Sequence, residues 1–437
     1  MSLLLSNQGV KPIGENYTSE RIYTLSPSQY EEITMSCVPP HISNPAGQNC
    51  SISITHIPTE LYRVNGLYLQ WLATNSSGTE APTWLNPYNT LSSIKCIINK
   101  KEVHHIANRK MLEFQINDYL KNYGPHDIFT RLQKFRTEVG TTLNGETVPV
   151  SGSQRFSLDL YVLFPFLEEY ICNDIIKFLE FEFVFAPNNS SLANALFVKS
   201  NTTNNAYGSN LTYSAIQLKM NRTYHTDARL YKHINPIRLV VPKFETKTWY
   251  AQSWTGTESI TFDLQNTFAN RARILGIVVD VESQALITAY NDSDSSLHYS
   301  SPADIGFKIS SKSKVIVDLR GAAKAHERRS YLIDVNKNRY GHYPHNDVIS
   351  NVGNLGKIYI SQTYIDFSNV SIEQDTDYGI AGINNFIKDI EVEISSESNI
   401  NASCNVTVGL HYIEVVNIVN ANKDIEMLSR RKTTKND

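Results

Sequence analysis

Apolar and polar side chains alternate in short runs along this 437-residue chain. Leu179, Phe181, Phe183 and Phe185 are interleaved with Glu180 and Glu182, and Ile390, Val392 and Ile394 with Glu391 and Glu393. Leu158, Leu160, Val162 and Phe164 show the same period, as do Ile216, Leu218 and Met220, and Val406, Val408, Leu410 and Tyr412. A period of two sends alternate side chains to opposite faces of a strand, so each run predicts a strand with one buried and one wet face, as in an antiparallel sandwich. Each half of the chain offers roughly seven or eight such strands, the number that a jelly roll or other Greek-key sandwich requires.

The pattern also repeats. Ser51-Ile-Ser-Ile54 can be laid on Thr261-Phe-Asp-Leu264, and Gly66-Leu-Tyr-Leu-Gln70 on Gly276-Ile-Val-Val-Asp280, both at an offset of 210. Ile94 to Lys101 falls on Ile305 to Lys312 at 211, and Ile176-Lys-Phe-Leu-Glu-Phe-Glu-Phe183 falls on Ile387-Lys-Asp-Ile-Glu-Val-Glu-Ile394, again at 211. Four segments in order at a nearly constant offset predict a tandem duplication.

Helical spacing is scarce. Leu112, Ile116, Tyr119, Leu120 and Tyr123 mark one face of a helix that Asn108 can cap and Gly124 can end. Ile128, Leu132, Phe135 and Val139 predict a second helix between Pro125 and Gly140, and Ala322 to Arg329 occupies the place of the first helix in the second half.

Pro236 and Pro242 are expected to interrupt regular structure between Thr226 and Lys247. That divides the chain into residues 1–235, with an N-terminal arm of about 25 residues, and residues 236–437, with a basic mobile tail from Ser429. Long polar connections are expected at Ala73 to Thr90, Gly140 to Gln154, Ala186 to Leu211, Tyr290 to Ala303 and Asn369 to Asn384. The segment Asn188 to Asn210, rich in Asn, Ser and Thr, has little to bury and is the leading candidate for a projection.

Composition narrows the function classes. Charged residues make up 19% of the chain and the formal net charge is −3, which argues against an electrostatic grip on nucleic acid or a polybasic membrane surface. No run approaches the ~18 apolar residues of a membrane-spanning helix. The opening Met-Ser-Leu-Leu-Leu is too short for a signal-peptide core, so no secretion signal is expected. Cys37, Cys50, Cys96, Cys172 and Cys404 are odd in number and scattered, which speaks against a disulfide framework and fits assembly in a reducing compartment.

Candidate chemistry is thin. The chain lacks a P-loop, a G-x-S-x-G elbow, H-E-x-x-H and G-x-G-x-x-G. His342 and His345 have metal-like spacing without supporting ligands. His104 and His105 are neighbours on a predicted strand and so point to opposite faces. Asn291 to Ser296 lacks the glycine and distal glutamate of an EF-hand loop, and Glu168 and Glu169 are adjacent rather than facing each other across a substrate. Trp71, Trp84, Trp249 and Trp254 could line a sugar-binding face, although core or interface packing is the commoner use. No catalytic, cofactor or metal site is therefore expected.

The duplicated block starting at Ser51 and Thr261, the helix candidates after Ile94 and Ile305 and the long inserted loops resemble the double jelly-roll major capsid proteins, the lineage of adenovirus hexon and other tailless icosahedral viruses. That resemblance implies two tandem eight-stranded jelly rolls with a few short helices in strand connections. It also implies homotrimers with a pseudo-hexameric outline that tile an icosahedral capsid in the virion, assembled in the host cytoplasm. The implied partners are other copies of the chain, neighbouring trimers, penton or minor capsid proteins and an internal membrane, with no specific nucleic-acid binding. The competing reading is a two-module carbohydrate-binding or host-attachment spike protein; a glycan-processing enzyme on the same scaffold is a third.

Overall fold

The computed structural model describes residues 30–55, 62–79, 82–84, 87–120, 146–167, 178–186, 197–199, 210–224, 237–254, 259–263, 274–283, 305–311, 314–324, 363–366, 390–396, 402–418 and 426–428. Sixteen strands form the continuous paths of its four main sheets, with the short strands Ile42–Ser43 and Glu426–Leu428 adding a fifth member to two of them. In the first half they are β1 (Tyr30–Ser36), β2 (Asn49–Thr55), β3 (Tyr62–Asn75), β4 (Leu91–Ile98), β5 (Lys101–Ile106), β6 (Ser153–Asp159), β7 (Phe178–Phe185) and β8 (Leu211–Tyr224). In the second half they are β9 (Ile237–Trp254), β10 (Ser259–Asp263), β11 (Ile274–Ser283), β12 (Ile305–Ser311), β13 (Lys314–Asp318), β14 (Thr363–Asp366), β15 (Ile390–Ser396) and β16 (Ala402–Ile418).

The first half forms sheets of order β1-β8-β3-β6 and β2-β7-β4-β5; the second forms β9-β16-β11-β14 and β10-β15-β12-β13. Adding eight to every label of the first pair gives the second, and every pairing is antiparallel. Two sheets in this crossed order, with four strands along each path, make a jelly roll, so the chain is two jelly rolls in tandem, as the repeat predicts.

Register shows how closely the copies correspond. Gly66 lies opposite Asn221 and Gly276 opposite His411, and in both sheets the pairing slips by one residue just before that glycine, at Asn65 and Leu275. A bulge at the same place in both rolls fixes their alignment independently of side-chain similarity. Ser51 and Thr261 face Glu182 and Glu393, again consistent with the predicted offsets. The β4 and β12 segment differs from expectation. Lys95 faces Glu182 and Lys308 faces Glu393, so Lys308 rather than Gly306 corresponds to Lys95. The predicted alignment is two residues out there. A slip of two leaves the same side chains facing inward, so the hydrophobic pattern cannot detect it. Both pairs also form cross-strand ion pairs, at 3.6 Å and 3.7 Å.

The alternating runs pack as expected. Leu179, Phe181, Phe183 and Phe185 point into the core of the first roll with Ile94, Cys96, Leu218 and Met220. Trp71 stacks on Phe156 at 5.3 Å and is buried, with Phe185 edge-on. Cys37, Cys50 and Cys96 are buried free thiols. Burial pushes Cys37 and Cys50 up to about 12, and Cys96 is raised by the same cause.

Two expectations are overturned. The run Leu158 to Phe164 is not one strand: β6 ends at Asp159, whose Oδ1 accepts from the Tyr161 N–H at 2.9 Å, and Leu160–Leu163 turn as a short helix, α2. All four α2 residues are buried, so two periods coincide over too few residues to be told apart. Pro242 does not break the chain either, because β9 runs through it from Ile237 to Trp254. Among the described residues β9 pairs only with β16 and is an edge strand, where half of the N–H groups face away from the ladder and proline is tolerated.

Candidate assembly interface

The helix predicted after Asn108 spans Arg109–Leu120 and is called α1. The Met111 N–H donates to Asn108 Oδ1 at 3.0 Å, which caps the helix, while Asn108 Nδ2 donates to Thr246 Oγ1 on β9 at 3.0 Å. Asn108→Ala is expected to lower stability by about 1–2 kcal/mol, from the lost cap and the lost bond to the second roll. Thermal unfolding of the two proteins measures it. Gly124 and the second predicted helix lie outside the described residues; at Ala322 the second half shows a short 3-10 turn through Lys324.

Both faces of α1 are buried. Leu112, Ile116 and Tyr119 join the core of the first roll, as their spacing predicts. Lys110, Phe114 and Asp118, also four residues apart, turn instead to the outer face of the second roll's β9-β16-β11 sheet. Phe114 packs with Phe244 and Val278, its ring 5.8 Å from that of Phe244. It comes so close to Gly409 of β16 that a Cβ there would overlap its ring. Any side chain at 409 would force the Phe114 ring to shift.

Around this contact lies a buried ionic cluster. Arg109 pairs with Glu113 at 2.7 Å, and Lys110 is shared between Glu113, at 3.3 Å, and Asp280 of β11. Asp118 lies 3.8 Å from His411, whose ring stacks on Phe244. Among the described residues, Arg109 and Lys110 meet the carboxylates of Glu113 and Asp280 where little water reaches. Any other seating of α1 would strand one of these ions, which costs several kcal/mol. The junction therefore sets the relative position of the rolls.

His104 of β5 adjoins the same junction. It is buried, with Phe164 edge-on at 5.7 Å. Burial holds it well below the usual imidazole range, at about 3, and the charge of Lys243 from the second roll adds to the effect. The Gln115 amide nearby counters part of this, although neither it nor the ring nitrogens of His104 reach hydrogen-bond geometry. His105 points the other way and is partly exposed, 3.9 Å from Glu102, so the pair cannot hold one ion.

Three of the predicted polar connections contain short strands that meet. Pro82–Trp84 pairs with both Phe197–Lys199 and Glu146–Thr147, giving a small fifth sheet. The candidate projection Asn188 to Asn210 is therefore tied at Phe197–Lys199. Of the four tryptophans, Trp71 is in the core, Trp249 is half-buried on β9, and Trp84 and Trp254 lie in strands. His342, His345, Asn291 to Ser296, Glu168 and Glu169 lie outside the described residues, as do the N-terminal arm and the basic tail. No cluster of three potential metal ligands occurs among the described residues.

No family model matches the sequence, and no curated protein matches it. Solved structures do match. The chain resembles VP54 of PBCV-1, as fitted into a reconstruction of the virophage Sputnik, with a TM-score of 0.60 at 10% identity over 93% of this chain and 98% of that one. It resembles a chain of the Sputnik virophage with a TM-score of 0.55 at 11% identity, over 97% and 95%. The Faustovirus major capsid protein gives 0.51 at 10%, over 95% and 94%. At such identities the likeness is one of fold, and it spans both rolls: this chain has the double jelly-roll architecture.

Proposed function

We propose that the chain is the major capsid protein of an icosahedral virus. The observation that carries this reading is the pair of identically wound jelly rolls held in fixed register by a buried junction. Two similar domains per chain let three chains form a ring of six similar units, so a trimer fills a hexagonal position while needing only threefold symmetry. The division of the chain into residues 1–235 and 236–437 belongs to this reading, as do location in the virion, assembly in the host cytoplasm and contacts with neighbouring trimers, minor capsid proteins and an internal membrane. Its work is then geometric rather than catalytic. The likeness of fold to the capsid protein of Faustovirus supports the reading.

Light scattering on the purified protein tests it. Three chains of 49.4 kDa should give a stable particle of about 148 kDa, with a pseudo-hexagonal outline in negative stain. A monomer at every concentration would overturn the proposal and favour a two-module attachment protein.

A further inference from the structure

The junction between the rolls has one corner where buried polar groups go unmatched. Eight buried side-chain nitrogens and oxygens among the described residues have no hydrogen-bond partner, and four of them belong to just two residues: both ring nitrogens of His104 and both amide atoms of Gln115. The two side chains are almost wholly enclosed. His104 stands on β5 opposite Cys96 and meets Phe164 and Phe166 edge-on. Gln115 lies on α1 between Phe114, which packs on the second roll, and Ile116, which packs in the first. The unmatched atoms thus sit under the helix that joins the rolls, and an unmatched buried polar atom weakens the packing around it.

The charged and titratable groups around His104 either oppose a proton there or are engaged elsewhere. From β9, Lys243 brings a positive charge, and its own partner Glu414 lies at 2.5 Å. On α1 the carboxylates Glu113 and Asp118 face Arg109, Lys110 and His411. On β4 the Cys96 thiol is neutral, because burial raises it. On β5, His105 lies on the opposite face with Glu102 and adds repulsion when charged. Gln115 favours the charged ring, but burial and Lys243 outweigh it. A charged imidazole carries two N–H donors. With α1 seated they meet aromatic rings, whereas water can solvate them once α1 has moved away.

We infer that α1 is an acid-released latch: a proton taken up by His104 lifts the helix from between the rolls, while the strands of both rolls stay paired. With α1 seated, His104 stays neutral down to about pH 3. In an opened junction it is solvated and takes up its proton near the ordinary value of about 6.5. Between those values the open form binds one more proton than the closed form, so the opening constant rises about tenfold for each pH unit of acidification. Above about pH 6.5 the latch does not respond to pH. Its use rests on the capsid reading: a shell that enters an acidic compartment loses the fixed spacing of its paired rolls.

Hydrogen exchange on the full chain tests the latch. An undocked helix of 12 residues is marginal in water, so the amides of Arg109–Leu120 exchange once it lifts. Corrected for the intrinsic rate, their opening constant should be about thirtyfold larger at pH 5 than at pH 7.5. The strand segments 179–185 and 390–396 should stay protected at both pH values. His105→Gln should behave as the parent does, and His104→Phe should show no rise. The parent's slope is a readout that needs no variant. Exchange in 109–120 that ignores pH overturns the inference, as does an equal rise in His104→Phe. So does a rise shared in step by the strand segments, which would mean that the whole chain unfolds rather than one helix. Native mass at pH 7.5 keeps the two proposals apart: a monomeric parent overturns the capsid reading, while the exchange result decides the latch in monomer and trimer alike.

Discussion

Asp280→Ala is expected to lower the stability of the chain by about 3–5 kcal/mol, the usual cost of leaving one member of a buried ion pair behind. Its partner Lys110 is almost wholly enclosed and shares Glu113 with Arg109, so losing Asp280 removes one of the carboxylates that hold a buried cation. Chemical denaturation of parent and variant gives the difference. The double variant Lys110→Met/Asp280→Leu removes both charges and should recover most of the loss, because an apolar pair of similar volume replaces a buried ion pair at little net cost. A loss below about 1 kcal/mol for Asp280→Ala would mean that water reaches the junction and that the cluster does not fix the rolls.

The second large effect is one of pH. His104 stays neutral in the folded chain down to about pH 3, whereas a histidine in the unfolded chain takes up a proton below about 6.5. Between those values the unfolded state binds the extra proton, so stability rises with pH and falls on acidification, by up to about 1.4 kcal/mol per pH unit. The full contribution is present above about pH 6.5 and has been lost by about pH 3. His104→Phe keeps a ring against Phe164 and Phe166 and removes the titration. Melting curves from pH 7 to pH 4 should show the variant gaining on the parent steadily as the pH falls. Parallel curves would mean that His104 titrates as an exposed histidine does.

The sequence made the strands and their duplication readable because both rest on a period of two, and burial on one face imposes that period. It made one side of α1 readable for a similar reason, since Leu112, Ile116 and Tyr119 are apolar. The other side was hidden. Lys110, Glu113 and Asp118 look like the wet face of an amphipathic helix, and only the second roll's Asp280 and His411 make them an interface. Charged residues carry the same letters whether they are solvated or buried with a partner distant in sequence. Gly409 gave a weak hint, as a glycine inside an alternating strand often marks a close approach. Pro242 misled for the converse reason: proline is barred from a central strand, but an edge strand has room for it, and edge or centre is a property of the sheet.

The rolls differ most in one interval. Twenty-five residues, 186 to 210, join β7 to β8 in the first roll, and five, 397 to 401, join β15 to β16 in the second. In the ring of three chains proposed above, long and short connections would alternate from roll to roll, so six similarly wound rolls would carry a threefold mark. That mark gives the ring a handle for orientation: a binder raised against residues 186–210 would decorate each ring at three points, not six, and would distinguish the two rolls of a chain on the particle surface.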